Sequence, residues 1–321
     1  MTGTKINWHG KPYYSLDAYL KNTYGHKCYK IAINAGLTCP NRDGTLDTRG
    51  CIFCSAGGSG DFAATGETIA MQLERGKALF GDKHIGQHYI AYFQAYTNTY
   101  GPVEYLRSIY TEALSHEDVC GISIATRPDC LDVEILDLLQ NLQAQFPHKF
   151  IWVELGLQTI HEQTAHYIRR GYPLSCFENA VRELISRNIP YIIHMILGLP
   201  GETPEMIYES IQYLNTCKPF GIKLQLLHIL EGTDLATEYK AGTFNTYTKD
   251  EYLNILIKSL ELLSPDIVIH RLTGDGPKDL LLAPRWSLNK RDVLNSLHRL
   301  MKLANTYQGR LFHATGPIDT L

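Results

Sequence analysis

The sequence predicts an α/β fold, a partial (βα)6 barrel with a C-terminal extension, and three observations carry that expectation. Short runs rich in β-branched and aromatic residues recur along the chain. After the first interval their centres lie roughly 30 to 40 residues apart, the length of one βα unit. Helix-start signals fall between them, and strands that alternate with helices through right-handed crossovers build a parallel sheet.

The first run is Tyr29 to Asn34, followed by Tyr89 to Gln94, Gly121 to Ala125, Ile151 to Leu157, Tyr191 to Leu197 and Ile222 to His228. Each reads as a buried strand. Between the third and fourth, Asp132 precedes the apolar-periodic Ile135, Leu136 and Leu139, the pattern of an N-cap and one helix face. After the fifth, Thr203 stands before Pro204, and after the sixth Thr248 and Glu251 have the spacing of a capping box. A seventh strand over Asp266 to Arg271 and a helix from Asn289 to about Asn305 complete the reading. Residues 1–235 are expected to form the barrel with an N-terminal extension, and 236–321 an extension packed on it.

The 321 residues include 44% hydrophobic and 20% charged side chains, which excludes disordered, collagen-like and coiled-coil classes. The opening run to Gly10 has no apolar signal core, and the longest apolar stretch, Ile192 to Leu199, is too short for a bilayer. A soluble cytoplasmic protein with no membrane partner is expected. The net charge of -3 draws nothing onto nucleic acid globally, yet Ile267 to Arg310 carries eight basic against three acidic residues, a local +5.

Eight cysteines in a long chain without a signal peptide point to free thiols or metal ligands rather than a disulfide framework. The first strand leads into Leu37-Thr38-Cys39-Pro40-Asn41-Arg42-Asp43-Gly44 and then Gly50-Cys51-Ile52-Phe53-Cys54. A close pair and one distant thiol supply three ligands that a loop can wrap around one centre. Structural zinc wants four. Cys28 or His26 would have to complete that set, and both precede the strand, at the opposite end of the barrel. Three thiolates on a four-iron cluster leave one iron open to an exogenous ligand. Zinc and unligated thiols remain the alternatives. Cys120, Cys130, Cys176 and Cys217 are isolated and read as small apolar residues, so no second cluster is expected.

This loop resembles that of the radical S-adenosylmethionine (SAM) enzymes, whose cluster loop follows the first strand of a partial (βα)6 barrel. Most of them use C-x3-C-x2-C. The longer first gap and the Cys-Pro-Asn-Arg-Asp-Gly stretch are similar to the YhcC/YtqA type and, more distantly, to the Elongator catalytic-subunit family. The resemblance implies that Cys39, Cys51 and Cys54 hold a [4Fe-4S] cluster whose open iron is chelated by SAM. One electron, from a donor such as flavodoxin or ferredoxin, then releases methionine and a 5'-deoxyadenosyl radical.

In barrels of this kind the chemistry sits beyond the C-terminal ends of the strands. Where relatives carry a Gly-Gly-Glu after the second strand, this chain has Gln94-Ala95-Tyr96, and Gln94 is the candidate for the SAM amine. The alternative there is a capped strand and an aromatic loop. Arg127, in Thr126-Arg127-Pro128-Asp129, can fork to a carboxylate or phosphate, or form a surface salt bridge. The fourth strand reads Val153-Glu154-Leu155-Gly156-Leu157-Gln158-Thr159. Alternation places Glu154, Gly156 and Gln158 on one face, inside the barrel. A buried carboxylate there must be paired or functional. The resemblance implies that Gln158 bonds the ribose of SAM and Arg170 its carboxylate. Gly198, in Leu197-Gly198-Leu199-Pro200-Gly201-Glu202-Thr203, is similar to the adenine-side turn of relatives, though glycines there also make plain turns. His194 reads as a satisfied core histidine. Leu224 to His228 runs into Ile229-Leu230-Glu231-Gly232-Thr233, again similar to the family's ending.

The tail from Arg271 through Asp275 and Pro277 to Pro284-Arg285-Trp286-Ser287 and Gln308-Gly309 also matches the YhcC/YtqA type. The resemblance implies a transfer RNA (tRNA) substrate, with the C5 side chain of the wobble uridine remodelled from carboxymethylaminomethyl toward aminomethyl. The acetyltransferase half of the Elongator subunit is not expected in this chain. Arg285, Trp286, Lys290 and Arg291 combine phosphate attraction with a stacking ring and are the expected RNA contacts. A solvated amphipathic helix is the other reading of those charges. A radical SAM enzyme acting on a small metabolite or protein, and a non-enzymatic iron-sulfur or zinc module, are the competing functions.

Overall fold

A computed structural model describes residues 8–58, 60–64, 66, 68–80, 88–274 and 276–313. Asp275 of the tail motif lies outside them. The chain opens with α1 (Leu16–Tyr24) and continues through β1 (Tyr29–Ile33), α2 (Ile69–Ala78), β2 (Tyr89–Phe93), α3 (Val103–Ser115) and β3 (Val119–Thr126). It proceeds through α4 (Val133–Gln145), β4 (Phe150–Gln158), α5 (Glu162–Tyr167), α6 (Leu174–Ser186), β5 (Tyr191–Leu197), α7 (Pro204–Cys217) and β6 (Gly221–Leu226). The remaining elements are β7 (Ile229–Leu230), α8 (Asp234–Lys240), α9 (Lys249–Leu262), β8 (Val268–Arg271), β9 (Leu281–Ala283) and α10 (Lys290–Leu303).

Six strands in chain order, followed by β8, form one seven-stranded sheet in the order β1-β2-β3-β4-β5-β6-β8, and every neighbouring pair is parallel. This is the partial barrel that the strand-helix rhythm predicts, with the expected seventh strand in place. The helix starts also fall where the sequence puts them. Asp132 accepts from the Ile135 N–H at 2.9 Å, Thr203 caps α7, and Thr248 with Glu251 forms the reciprocal box at α9. The sixth run is shorter than expected. It stops at Leu226, and Ile229 and Leu230 instead pair antiparallel with β9, because Ile229 finds a second buried cluster with Leu199, Leu227 and Leu235.

Outward residues such as Val153, Leu155 and Leu157 of β4 meet the helices in the main apolar core. Inward residues change character along the barrel. Ile90, Trp152 and Ile192 form an apolar floor with Leu20 and Cys28. Above them on the same strands stand Tyr92, Glu154 and His194. The floor is closed by an aromatic stack, with Phe150 and Trp152 ring centroids 3.9 Å apart and Tyr19 edge-on to Phe220 at 4.8 Å. Gln308 joins the two ends of the chain. Its fully buried amide accepts from the Tyr14 N–H and donates to the carbonyls of Ser264 and Ile267. No helix among the described residues is long and apolar enough to cross a membrane.

The cap of α4 sits on an exposed, separable site. Asp132→Ala should lower the free energy of unfolding by about 1 kcal/mol, and Asp132→Asn should retain most of it. Urea melts of the three proteins measure this, and an alanine variant as stable as the parent would contradict the capping role.

Candidate functional site

At the C-terminal ends of the strands a cavity is bordered by Cys39, Cys51, Cys54, Gln94, Arg127, Glu154, Gln158 and Arg170. The three thiols of the loop after β1 and five of the six strand-end candidates therefore meet in one place. Gly198 does not. Its φ of +92° turns the chain directly after β5, and a Cβ there would lie 3.1 Å from the Tyr247 ring. Its missing side chain makes room for Tyr247.

The cysteine loop is held by residues the sequence reading did not single out. Arg42 donates to the carbonyls of Cys54 and Ser55 at 2.8 and 2.6 Å, so its guanidinium fixes the end of the C-x2-C turn. Gly50 has no Cβ because Arg42 Nε would stand 2.9 Å from it. Buried Asn41 donates to the Arg169 carbonyl at 2.8 Å and reaches the Cys51 sulfur at 3.5 Å. The Ile52 N–H donates to the Ile168 carbonyl. The loop is thus clamped to the segment that follows β4. Their position beside Cys39 was the available signal for Asn41 and Arg42.

Cys51 is pushed up to about 12 by burial and then by the neighbouring Cys54, so only a bound cation would favour its thiolate. Among the described residues no three His, Cys, Asp or Glu side chains converge on a single-ion site. The three thiols instead border one cavity.

Gln158 has the geometry of a ligand-binding group. The pairing of β4 with β5 shifts register between Gly156 and Gln158, and Gln158 takes a φ of +68°, a costly conformation for a residue with a side chain. Its buried Oε1 has no hydrogen-bond partner among the described residues. A buried amide oxygen without a donor is unfavourable until a ligand supplies one.

Both arginines are engaged by groups of the protein. Arg170 is 2% exposed, and its guanidinium donates to the carbonyls of Tyr172, Leu157 and Thr159 and lies 3.4 Å from both carboxylate oxygens of Glu162. Those bonds hold the turn after β4. Arg127 is buried rather than on the surface. Burial alone would lower its pKa, but its fork to Asp129 at 2.9 and 2.6 Å keeps it above the ordinary arginine value. Both guanidinium groups lie over the Tyr172 ring.

Glu154 is fully buried and paired. It accepts from Lys30 at 2.7 Å, Ser123 at 2.5 Å and His194 at 2.7 Å, and from Lys223. Burial would raise its pKa, but Lys223 and Lys30 hold it well below the usual carboxylate range. Lys223 also donates to the Tyr92 hydroxyl at 2.9 Å. Burial, then Lys223, lowers His194 to about 4, so the imidazole is neutral and donates to Glu154. His194 is the satisfied interior histidine that the sequence suggests.

The expected RNA residues lie elsewhere, around the start of α10. Arg285 and Arg291 are exposed and Lys290 half-buried. Trp286 does not stand out as a platform. Its indole N–H donates to the Tyr247 carbonyl at 3.0 Å and its ring packs at 5.5 Å on Tyr252, at the border of the main core. The ring is thus partly engaged in packing.

Two family models match the chain, Radical SAM superfamily over residues 45–214 and Radical_SAM C-terminal domain over 219–302. The uncharacterized protein YtqA of Bacillus subtilis is 41% identical over 94% of this chain and 93% of its own length. Protein YhcC of Escherichia coli is 34% identical over 88% and 90%. A tRNA uridine(34) acetyltransferase of Methanocaldococcus jannaschii is 26% identical over 53% of this chain, which spans 31% of that protein. Among solved structures, Elp3 of Methanocaldococcus infernus superposes with a TM-score of 0.65 at 15% identity, covering 88% of this chain and 64% of that one, and so shares the fold.

The Glu154 cluster generates a pH dependence. His194 in the folded protein binds its proton at about 4, below the ordinary 6.5, so folding opposes its protonation. Its share of stability is present above pH 6.5 and is lost as pH falls toward 4. By pH 5 the loss should be roughly 1 to 2 kcal/mol. His194→Gln keeps a donor to Glu154 without a titrating group and should flatten the acid limb of a stability-versus-pH curve by that amount. An unchanged limb would mean that another group sets it.

Proposed function

The chain belongs to the radical SAM superfamily and, within it, to the family of YtqA and YhcC, and on that premise we propose that it is a tRNA-modifying radical SAM enzyme. Its cofactors are a [4Fe-4S] cluster and SAM. The observation that carries the assignment of the site is the cavity at which Cys39, Cys51 and Cys54 meet the unpartnered amide oxygen of Gln158. We assign the cluster to the three thiols and the ribose of SAM to Gln158. Cys39, Cys51 and Cys54 would hold the cluster, which would supply the electron for reductive cleavage of SAM.

The chain's own residues hold and shield. Arg42 and Asn41 set the cysteine loop. Arg170 is a positioning residue, ordering the carbonyls beyond β4 so that Gln158 keeps its strained backbone. Arg127 lies close enough to Cys51 to favour its thiolate. Likeness to a tRNA uridine(34) acetyltransferase supports the wobble uridine of tRNA as the target. The reaction proposed is remodelling of a C5 carboxymethylaminomethyl group toward aminomethyl, with a flavodoxin- or ferredoxin-type electron donor.

Anaerobic reconstitution should load about four irons per chain. Alanine at Cys39, Cys51 or Cys54 should abolish both the iron-sulfur absorption and 5'-deoxyadenosine formation. Stoichiometric zinc in place of iron would overturn the site. Gln158→Ala should retain the cluster and weaken SAM binding by about 0.5 to 1.5 kcal/mol, the net contribution of one hydrogen bond.

For the substrate, nucleosides of tRNA from a strain lacking the protein should show carboxymethylaminomethyl-uridine in place of its aminomethyl product. An unchanged wobble nucleoside would remove the tRNA reading and leave the SAM chemistry standing.

A further inference from the structure

One of the groups that clamp the cysteine loop also touches a thiol. Asn41 follows Cys39 by two residues and is 2% exposed. Its backbone is fixed, because the Gly50 N–H donates to the Asn41 carbonyl at 2.7 Å. Its side-chain nitrogen carries two N–H groups. Nδ2 lies 2.8 Å from the Arg169 carbonyl, 3.4 Å from the Arg170 carbonyl and 3.5 Å from the Cys51 sulfur. One N–H therefore serves the segment after β4, and the other lies within reach of the sulfur. The far end of the amide is confined as well. A Cβ on Gly171, where φ is +86°, would stand 2.7 Å from Asn41 Oδ1, so the amide fits this position only beside a glycine.

Holding a carbonyl is enough to account for a buried asparagine, and the contact with Cys51 goes beyond it. As a free thiol Cys51 donates to the Arg169 carbonyl at 3.6 Å. A sulfur that ligates a metal has lost that proton and can only accept. Asn41, anchored on the same carbonyl, then supplies a donor to the sulfur. Hydrogen bonds to the sulfurs of an iron-sulfur cluster are among the quantities that set its reduction potential. Their sign follows from charge. An added electron makes the ligating sulfurs more negative, and a hydrogen bond strengthens as its acceptor gains negative charge.

We propose that the Asn41 amide donates to the ligated Cys51 sulfur and raises the reduction potential of the cluster, which makes the electron required for SAM cleavage easier to deliver. The inference rests on the reading that Cys39, Cys51 and Cys54 hold the cluster. Asn41 touches neither SAM nor substrate in this role. It is a positioning residue for the loop that also tunes one of its three thiolates.

The test is the midpoint potential of the anaerobically reconstituted protein in the absence of SAM, from a dye-mediated titration followed by the electron paramagnetic resonance of the reduced cluster. Asn41→Leu fills the same space without a donor. It should keep about four irons per chain and make one-electron reduction roughly 3- to 10-fold less favourable, the difference between a hydrogen bond to a charged and to a less charged acceptor. A tenfold change is a fall of about 59 mV. Asn41→Asp, of the same shape, puts an acceptor where the donor was and should lower the potential at least as far.

The sign separates this role from a purely structural one. If the amide only held the loop, its loss would admit water to the cluster, and water dipoles favour the more negative, reduced state. The potential would then stay or rise. An iron-loaded Asn41→Leu protein, or Asn41→Asp where the leucine variant loses iron, with the parent's potential or a higher one would overturn the inference and leave the cluster assignment standing. If the parent itself forms no iron-sulfur cluster, the cluster reading falls and the inference falls with it.

Discussion

The barrel is organised around one buried carboxylate. Glu154 lies on the central strand β4, and the groups that satisfy it come from β1 (Lys30), β3 (Ser123), β5 (His194) and β6 (Lys223). A charge in that position cannot be left unpaired, because isolated burial costs far more than a folded domain has in reserve. A buried ion pair adds little net stability over an apolar core of the same volume. Its effect here is geometric. Four strands must present their partners at one point, so the cluster admits little relative sliding of the sheet. The apolar floor of Ile90, Trp152 and Ile192 beneath it has no comparable directionality.

Above that hub the site depends on backbone groups more than on side chains. The cysteine loop is irregular and has to satisfy its own carbonyls, which Arg42 and Asn41 do together with the segment around Arg169. Arg170 does the same for the turn after β4. Two long side chains with many donors are thus used to make loops rigid, where a ligand-binding reading of the same residues would leave them open. A rigid site is what radical chemistry requires of a protein, since the reactive group must be kept from water and from the wrong bond.

Much of this was legible in the sequence, and the limits follow from range. Strand alternation put Glu154, Gly156 and Gln158 on the inner face, and local capping signals at Asp132, Thr203 and Thr248 marked three helices correctly. The cysteine spacing pointed to the loop after β1. What could not be read were partners separated by tens of residues. Lys30 lies 124 residues from Glu154 and Lys223 lies 69 away, and nothing local to either lysine distinguishes it from a surface one. The backbone partners of Arg170 and Trp286, the carbonyls of Leu157, Thr159 and Tyr247, were equally out of reach of a local reading. The positive φ of Gln158 is invisible because the residue is not glycine.

The open side of the barrel raises a separate physical problem, since unpaired strand edges invite association with other chains. Both edges are blunted locally. Ala64 bridges to Ile33 and donates to the Ala32 carbonyl along β1, and Ser15 bridges to Ile269 while the Tyr14 carbonyl accepts from the Ile269 N–H along β8. Lys30 adds an inward charge on the first edge and Arg271 ends the second.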